Sequence, residues 1–181
     1  SKRLALEMIY TNTLQLIRIK DWFKNLIIFF PIIFSGKILE YSNYINLIIG
    51  FIIFSLACSS VYILNDILDK NKDKYHPIKK NIKPIASGAI SFSSALMTFF
   101  ILCLISIISI YFFDQIRLSI ISYILISLSY IFFVKYIPYF EFLLLPLVYV
   151  VRINLGSNII EVDSSLLMLL CTYLISMFFI L

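Results

Sequence analysis

The 181 residues are 61% hydrophobic and only 14% charged, with a mean hydropathy of +0.99. Soluble domains carry about 45–50% apolar and about 25% charged residues, so a separate soluble domain of any size is excluded and an integral membrane protein is expected. The net charge of +5 is concentrated in a few loops, which ties it to topology and anionic headgroups and sets nucleic acid aside.

Taken in chain order, residues 1–25 alternate apolar positions (Leu4, Leu6, Met8, Ile9, Leu14, Leu16, Ile17, Ile19) with charged ones, and read as an amphipathic interfacial helix. A first span is expected over residues 22–38, kinked at Pro31. A second covers residues 44–64 and delivers Asn65 and Asp66 at its end. Residues 70–90 form the one long polar loop, with turn signals at His76-Pro77, Lys83-Pro84 and Ser87-Gly88. Ser91 can cap a third span over residues 92–113; a fourth runs to Val134, and Lys135-Tyr136-Ile137-Pro138 breaks it. A fifth, residues 142–160, contains Arg152, and a last apolar run follows Ser164 and Ser165. The expected fold is therefore all-α, a transmembrane bundle of about six spans in a single membrane domain over residues 1–181. The chain begins at Ser1 and stops inside an apolar run, which reads as a fragment. The three cysteines, Cys58, Cys103 and Cys171, each lie in an apolar segment and show no disulfide or zinc spacing. Lysines and arginines concentrate in the N-terminal region, the 70–83 stretch and the Lys135 turn. By the positive-inside rule these loops face the cytoplasm of an inner or plasma membrane.

The carboxylates of Asp66, Asp69 and Asp73 gather where the second apolar run ends. On a helix these positions fall within about 60° of one face, with the Asn65 amide beside them. Oxygen-only clustering of this kind suits Mg²⁺, which takes one or two carboxylates and shares its other positions with water and phosphates. The plainer reading is a solvated helix end, although acids at a helix C-terminus oppose the macrodipole and need a reason. Six lysines follow (Lys70, Lys72, Lys74, Lys79, Lys80 and Lys83), with His76 among them. Metal ligands beside clustered cations suit a diphosphate held by metal on one side and lysines on the other. Headgroup attraction accounts for some of these lysines, but not for acids and bases sharing one boundary.

Three further places bear on function. Lys24 and Asn25 open the first span beside Trp22, whose ordinary role is an interfacial anchor. Tyr130 and Lys135 close the fourth, where Lys135 also reads as a snorkelling boundary lysine. Arg152 lies inside a span, where an ionisable side chain is expensive and is either functional or paired.

These residues resemble the UbiA superfamily of membrane prenyltransferases. The resemblance rests on Asn65-Asp66-Ile67-Leu68-Asp69-Lys70-Asn71-Lys72-Asp73, which is similar to that family's NDxxDxxxD motif. Arg18-Ile19-Lys20-Asp21-Trp22-Phe23-Lys24-Asn25, with Pro31 and Gly36, looks like a first-helix signature RPxxWxKN; His76-Pro77-Ile78-Lys79 with Lys83-Pro84-Ile85-Ala86-Ser87-Gly88 looks like an HPxK…RPIASG loop. Both point to the decaprenyl-phosphate phosphoribosyltransferase branch, and Tyr130, Lys135, Pro138 and Arg152 stand where that branch has similar residues. Lys83 stands where the pattern has arginine. The resemblance implies a fold of about nine spans, more than the apolar runs here supply. It also implies Asn65, Asp66, Asp69 and Asp73 as Mg²⁺ ligands, and a substrate set of Lys24, Asn25, Asn65, His76, Lys79, Lys80, Lys83, Tyr130, Lys135 and Arg152. The implied reaction is attack of a polyprenyl phosphate on 5-phosphoribosyl diphosphate. The alternative is transfer of an isoprenoid from its diphosphate to an aromatic or quinone-precursor acceptor. A transporter built on Arg152 and the acids would need paired charges in several spans, and the remaining spans are nearly free of charge.

Overall fold

The computed structural model describes the backbone of residues 2–180 and the side chains of residues 10–179; the expected amphipathic pattern at Leu4, Leu6, Met8 and Ile9 lies outside the described side chains. Helix α1 (Lys2–Ile17) leads through Arg18 into a 3-10 segment, Ile19–Phe29, and then α2 (Phe30–Phe34). Helix α3 (Tyr41–Leu68) is the longest, followed by two short helices, α4 (Lys70–Tyr75) and α5 (Lys79–Ile82). Helices α6 (Phe92–Phe112), α7 (Asp114–Phe132), α8 (Glu141–Ile159) and α9 (Leu166–Ile180) complete the chain, with a 3-10 turn at Val134–Tyr136.

Among the described residues, four of the six expected spans are helices long and apolar enough to cross a bilayer: Tyr41–Leu68, Phe92–Phe112, Asp114–Tyr136 and Glu141–Ile159. The last apolar run is the shorter α9. The first is broken more deeply than a kink. Pro31 has no N–H to give, and its ring crowds the carbonyl four residues back, so the α-helical hydrogen-bond ladder is interrupted at this point. The chain instead tightens into 3-10 geometry, with the Phe30 N–H bonded to Ile27 O, before Pro31 starts α2 near its N-terminus.

Helix α3 is the axis of the bundle, packed against α6, α7, α8 and the 3-10 segment; α8 packs in turn against α7, α9 and the 3-10 segment. The main core joins Ile28, Ile32, Phe54, Ala57, Tyr123 and Leu155. Phe54 and Tyr123 meet with ring centroids 5.1 Å apart, in the edge-on arrangement that aromatic rings prefer. A smaller cluster of Leu16, Ile63, Ile85, Ala95 and Leu102 pins α1 and the far end of the polar loop to α3 and α6. On α6, Met97, Phe100, Leu104, Ile107 and Tyr111 are exposed at helical spacing, while Ala95, Leu102, Ser106 and Ser109 are buried. That apolar outer stripe suits lipid. The buried serines satisfy their hydroxyls within the helix, Ser106 Oγ donating to Leu102 O and Ser109 Oγ to Ile105 O.

One close approach sets how α8 sits on the 3-10 segment. A Cβ on Gly156 would lie 2.0 Å from Ile28 O and 3.1 Å from Pro31 Cγ, so only glycine admits this backbone contact. A Cβ on Gly50 would meet the tip of Ile159, a flexible side chain, at 2.3 Å. Gly156→Ala is therefore expected to cost about 1–3 kcal/mol, the usual range for overpacking. Gly50→Ala should cost less, because Ile159 can rotate away. Thermal unfolding of the two variants in detergent checks the order.

Candidate functional site

The carboxylates sit where α3 hands over to α4. The register survives the junction: Asp69 N–H bonds Asn65 O at 2.9 Å and Asp73 N–H bonds Asp69 O at 2.9 Å, although Asp69 itself leaves helical geometry at φ −87°, ψ 1°. The chain therefore keeps one carboxylate-bearing face across a small bend.

Each acid is met by a cation from a different part of the chain. Asp66, only 3% exposed, accepts from Arg18 Nη2 on both oxygens, at 2.7 and 3.0 Å, and from Lys83 Nζ at 2.8 Å. Lys83 also donates to Asp73 Oδ2 at 2.6 Å, so one ammonium bridges two buried carboxylates. Lys135 Nζ donates to Asp69 Oδ1 at 2.9 Å. Burial of Lys83 works against its charge, but the hydrogen bonds and charges of Asp66 and Asp73 outweigh it and hold its pKa above the ordinary 10.5. A lysine value raised by folding stabilises the fold at every pH below the unfolded value. The tie therefore weakens only as pH climbs through the raised one.

Arg18 is held in the left-handed region, φ 54° and ψ 45°, at the corner between α1 and the 3-10 segment. A non-glycine residue there costs about 1–2 kcal/mol. The corner turns the guanidinium onto Asp66 and over the Tyr62 ring, 4.9 Å from its centroid. From this corner the 3-10 segment runs back along α3. Trp22 Nε1 donates to Ser59 Oγ at 3.1 Å, Ser59 Oγ donates to Ile17 O at 2.6 Å, and Asn25 Nδ2 donates to Ser55 Oγ at 2.8 Å. Ser55, Ser59, Tyr62 and Asp66 lie four, three and four residues apart, a single stripe of α3 that receives the first segment in antiparallel order.

Deeper in the bundle, Arg152 is buried, its Nε donating 2.7 Å to Asn25 Oδ1 and its guanidinium lying 4.6 Å from the Tyr149 ring centroid. Its Nη1 is buried with no partner among the described residues, as is Asn65 Oδ1. A cavity of about 480 Å³ between α3, α7 and α8 is lined by Arg18, Lys24, Asn65, Tyr123, Tyr130 and Arg152, among others. The structure thus gathers the expected Lys24, Asn65, Tyr130 and Arg152 around one cavity, with Asn25 behind Arg152. The expected Asp66, Asp69, Asp73, Lys83 and Lys135 form an ionic cluster beside it. His76, Lys79 and Lys80 stand apart and exposed, and His76 Nδ1 caps its own turn by accepting from the N–H groups of Ile78 and Lys79. Arg18, Tyr62 and Tyr123 were not among the expected site residues. Arg18 opens the stretch Arg18–Asn25 and could have been picked out there; the tyrosines carry no signal beyond apolar spacing.

The donor chemistry around Asp66 fits a hard divalent cation. The carboxylate donors here are all oxygens and Lys83 already holds a positive charge between Asp66 and Asp73, while Asn65 Oδ1, unpartnered among the described residues, belongs to a residue that lines the neighbouring cavity. Among the described residues no three of His, Cys, Asp or Glu converge into a metal cluster.

The UbiA prenyltransferase family model matches residues 28–181. Among curated proteins, the decaprenyl-phosphate phosphoribosyltransferase of Mycobacterium tuberculosis is 27% identical over 160 residues, covering 85% of this chain and 52% of the relative. The Corynebacterium glutamicum protein of the same name is 27% identical over 157 residues, covering 84% and 47%. An uncharacterised protein of Sinorhizobium fredii is 29% identical over 143 residues, covering 78% and 27%. The chain thus spans about half the length of the two named transferases.

Removing Lys83 leaves two buried carboxylates facing each other. Lys83→Met is expected to cost about 3 kcal/mol, the scale for breaking a buried ion pair from one side. Arg18→Met should cost less, because Lys83 still serves Asp66 and Arg18 is partly exposed. Denaturant unfolding in detergent micelles compares the two.

Proposed function

The chain belongs to the UbiA prenyltransferase family, and from that premise we propose that it acts as a Mg²⁺-dependent membrane transferase. In this reading it moves phosphoribosyl from 5-phosphoribosyl diphosphate to a polyprenyl phosphate. The observation that carries the reading is the convergence of Arg18, Lys83 and Lys135 on three carboxylates at the end of α3, beside a cavity that reaches Arg152. The names of the Mycobacterium and Corynebacterium relatives support the phosphoribosyl branch.

Asp66, Asp69, Asp73 and Asn65 would hold Mg²⁺, which would neutralise charge on the donor's diphosphate. Lys83 and Lys135 stand close enough to the same carboxylates to take phosphate oxygens, with His76, Lys79 and Lys80 on the exposed loop as further contacts. Cations preorganised where charge builds on the leaving diphosphate lower the barrier without reorganising at the moment of reaction. Arg152, held from behind by Asn25, and Tyr130 line the inner side, where the lipid phosphate approaches with its polyprenyl tail among apolar side chains. Attack by a lipid phosphate oxygen on the ribose anomeric carbon forms the new C–O bond as the bond to diphosphate breaks, and the electron pair leaves with diphosphate. The charge-bearing end of the bundle faces the cytoplasm in this reading, as the distribution of lysines and arginines supports.

Incubating membranes that hold the full-length protein with labelled 5-phosphoribosyl diphosphate and polyprenyl phosphate tests the proposal. Label is expected in the lipid fraction, and Asp66→Asn or Asp69→Asn should each reduce it by about 100-fold or more. Label absent from lipid, with transfer from a prenyl diphosphate to an aromatic acceptor, would move the protein to the other branch. Unchanged transfer in both variants would remove the carboxylates from the mechanism.

A further inference from the structure

Asp66 is held by two cations of different kinds. Arg18 is fixed at a strained backbone corner and grips both oxygens of Asp66 from one side. Lys83 comes from the polar loop, on a flexible four-carbon stem, and bridges Asp66 and Asp73. The residue after it is Pro84, which confines Lys83 to extended backbone (φ −88°, ψ 120°). Immediately beyond, Ile85 is buried against Leu16, Ile63, Ala95 and Leu102, so the loop is anchored there. Upstream, residues 76–82 are all exposed, and they carry Lys79 and Lys80. Lys83 is thus the last residue before a fixed point, and its two ionic bonds tie an otherwise exposed stretch across the carboxylates.

An ammonium 2.6 to 2.8 Å from one oxygen of each carboxylate occupies the place a divalent cation needs, since Mg²⁺ bonds oxygen at about 2.0–2.1 Å and repels an adjacent positive charge. We propose that Lys83 is a built-in stand-in for the metal: it competes with a divalent cation for the Asp66–Asp73 oxygens, and its displacement frees residues 76–83 to carry their lysines onto the phosphates of the donor. Arg18 stays behind and keeps Asp66 oriented while Lys83 exchanges. The inference rests on the metal and diphosphate reading given above, and adds to it a strap that opens with loading.

The test uses Mn²⁺ as a spectroscopically visible divalent probe on the full-length protein in nanodiscs, with no substrate present. Mn²⁺ binding is followed by electron paramagnetic resonance, and the loop by amide hydrogen exchange. In the wild type, Mn²⁺ is expected to raise exchange across residues 78–83. Lys83→Met, lacking the competitor, is expected to bind Mn²⁺ about tenfold more tightly, with its loop exchanging fast before any metal is added. Should that variant fail to fold, the wild-type exchange decides alone. Mn²⁺ binding with unchanged exchange in the wild type, or with equal or weaker affinity in Lys83→Met, overturns the strap and leaves the metal reading standing. No Mn²⁺ binding in the wild type overturns the metal reading and the strap together.

Discussion

Asp66 is the constraint around which this end of the molecule is built. It closes a long apolar helix, it is buried, and a carboxylate in such a place is tolerated only with its charge matched and its oxygens bonded. The cations that meet the three acids come from 48 residues upstream of Asp66, from the loop beyond α4, and from 66 residues downstream of Asp69. Matching charge at the end of α3 therefore draws three distant parts of the chain to one point: the α1 corner, the polar loop, and the link between α7 and α8. Buried ion pairs are weak sources of net stability, but breaking one from a single side is costly. Their effect here is on arrangement, because each partner arrives on a different element.

A second polar joint lies about three turns deeper along α3. Ser55, Asn25 and Arg152 connect α3, the 3-10 segment and α8 through two buried hydrogen bonds, the second between residues 127 apart in sequence. This joint depends on Gly156, since α8 reaches the 3-10 segment only where a side chain is missing. The two joints share the 3-10 segment, which carries Arg18 at one end and Asn25 further in. Its tight geometry is thus part of the site, because it sets the spacing between the cation at the carboxylates and the amide that orients Arg152.

The apolar runs were legible from hydropathy because lipid imposes one requirement along the whole length of a span. The carboxylate face was legible from spacing, and its register continues into α4 even though Asp69 bends out of helical geometry. What hydropathy could not see was the form of the first run. Residues 19–34 are apolar enough to resemble a span, but Pro31 and the pressure of Gly156 against Ile28 O are local and tertiary facts that an average over a window removes. The lysine run was misleading in a similar way. Six lysines looked equivalent as charge, yet in the described structure Lys83 alone among them bridges two of the acids, because Pro84 and Ile85 fix the chain right behind it. Arg18 went unselected for the opposite reason: as a boundary charge it looked ordinary, and only its left-handed backbone aims it at Asp66.

Arg18 also belongs to both halves of the site. It lines the cavity that contains Tyr123, Tyr130 and Arg152, and it bonds the acid that lies outside that cavity. A transferase that joins a water-soluble diphosphate to a membrane lipid has to solve the same geometric problem. One substrate must be gripped by charge at the aqueous boundary, and the other must reach it from among apolar side chains. A guanidinium presents several donors in a fixed planar fork and can face both at once, whereas a lysine offers one compact, mobile ammonium. On the proposed reading, this explains why the position fixed by backbone strain is an arginine, while the position on the exposed loop, the one that has to let go, is a lysine.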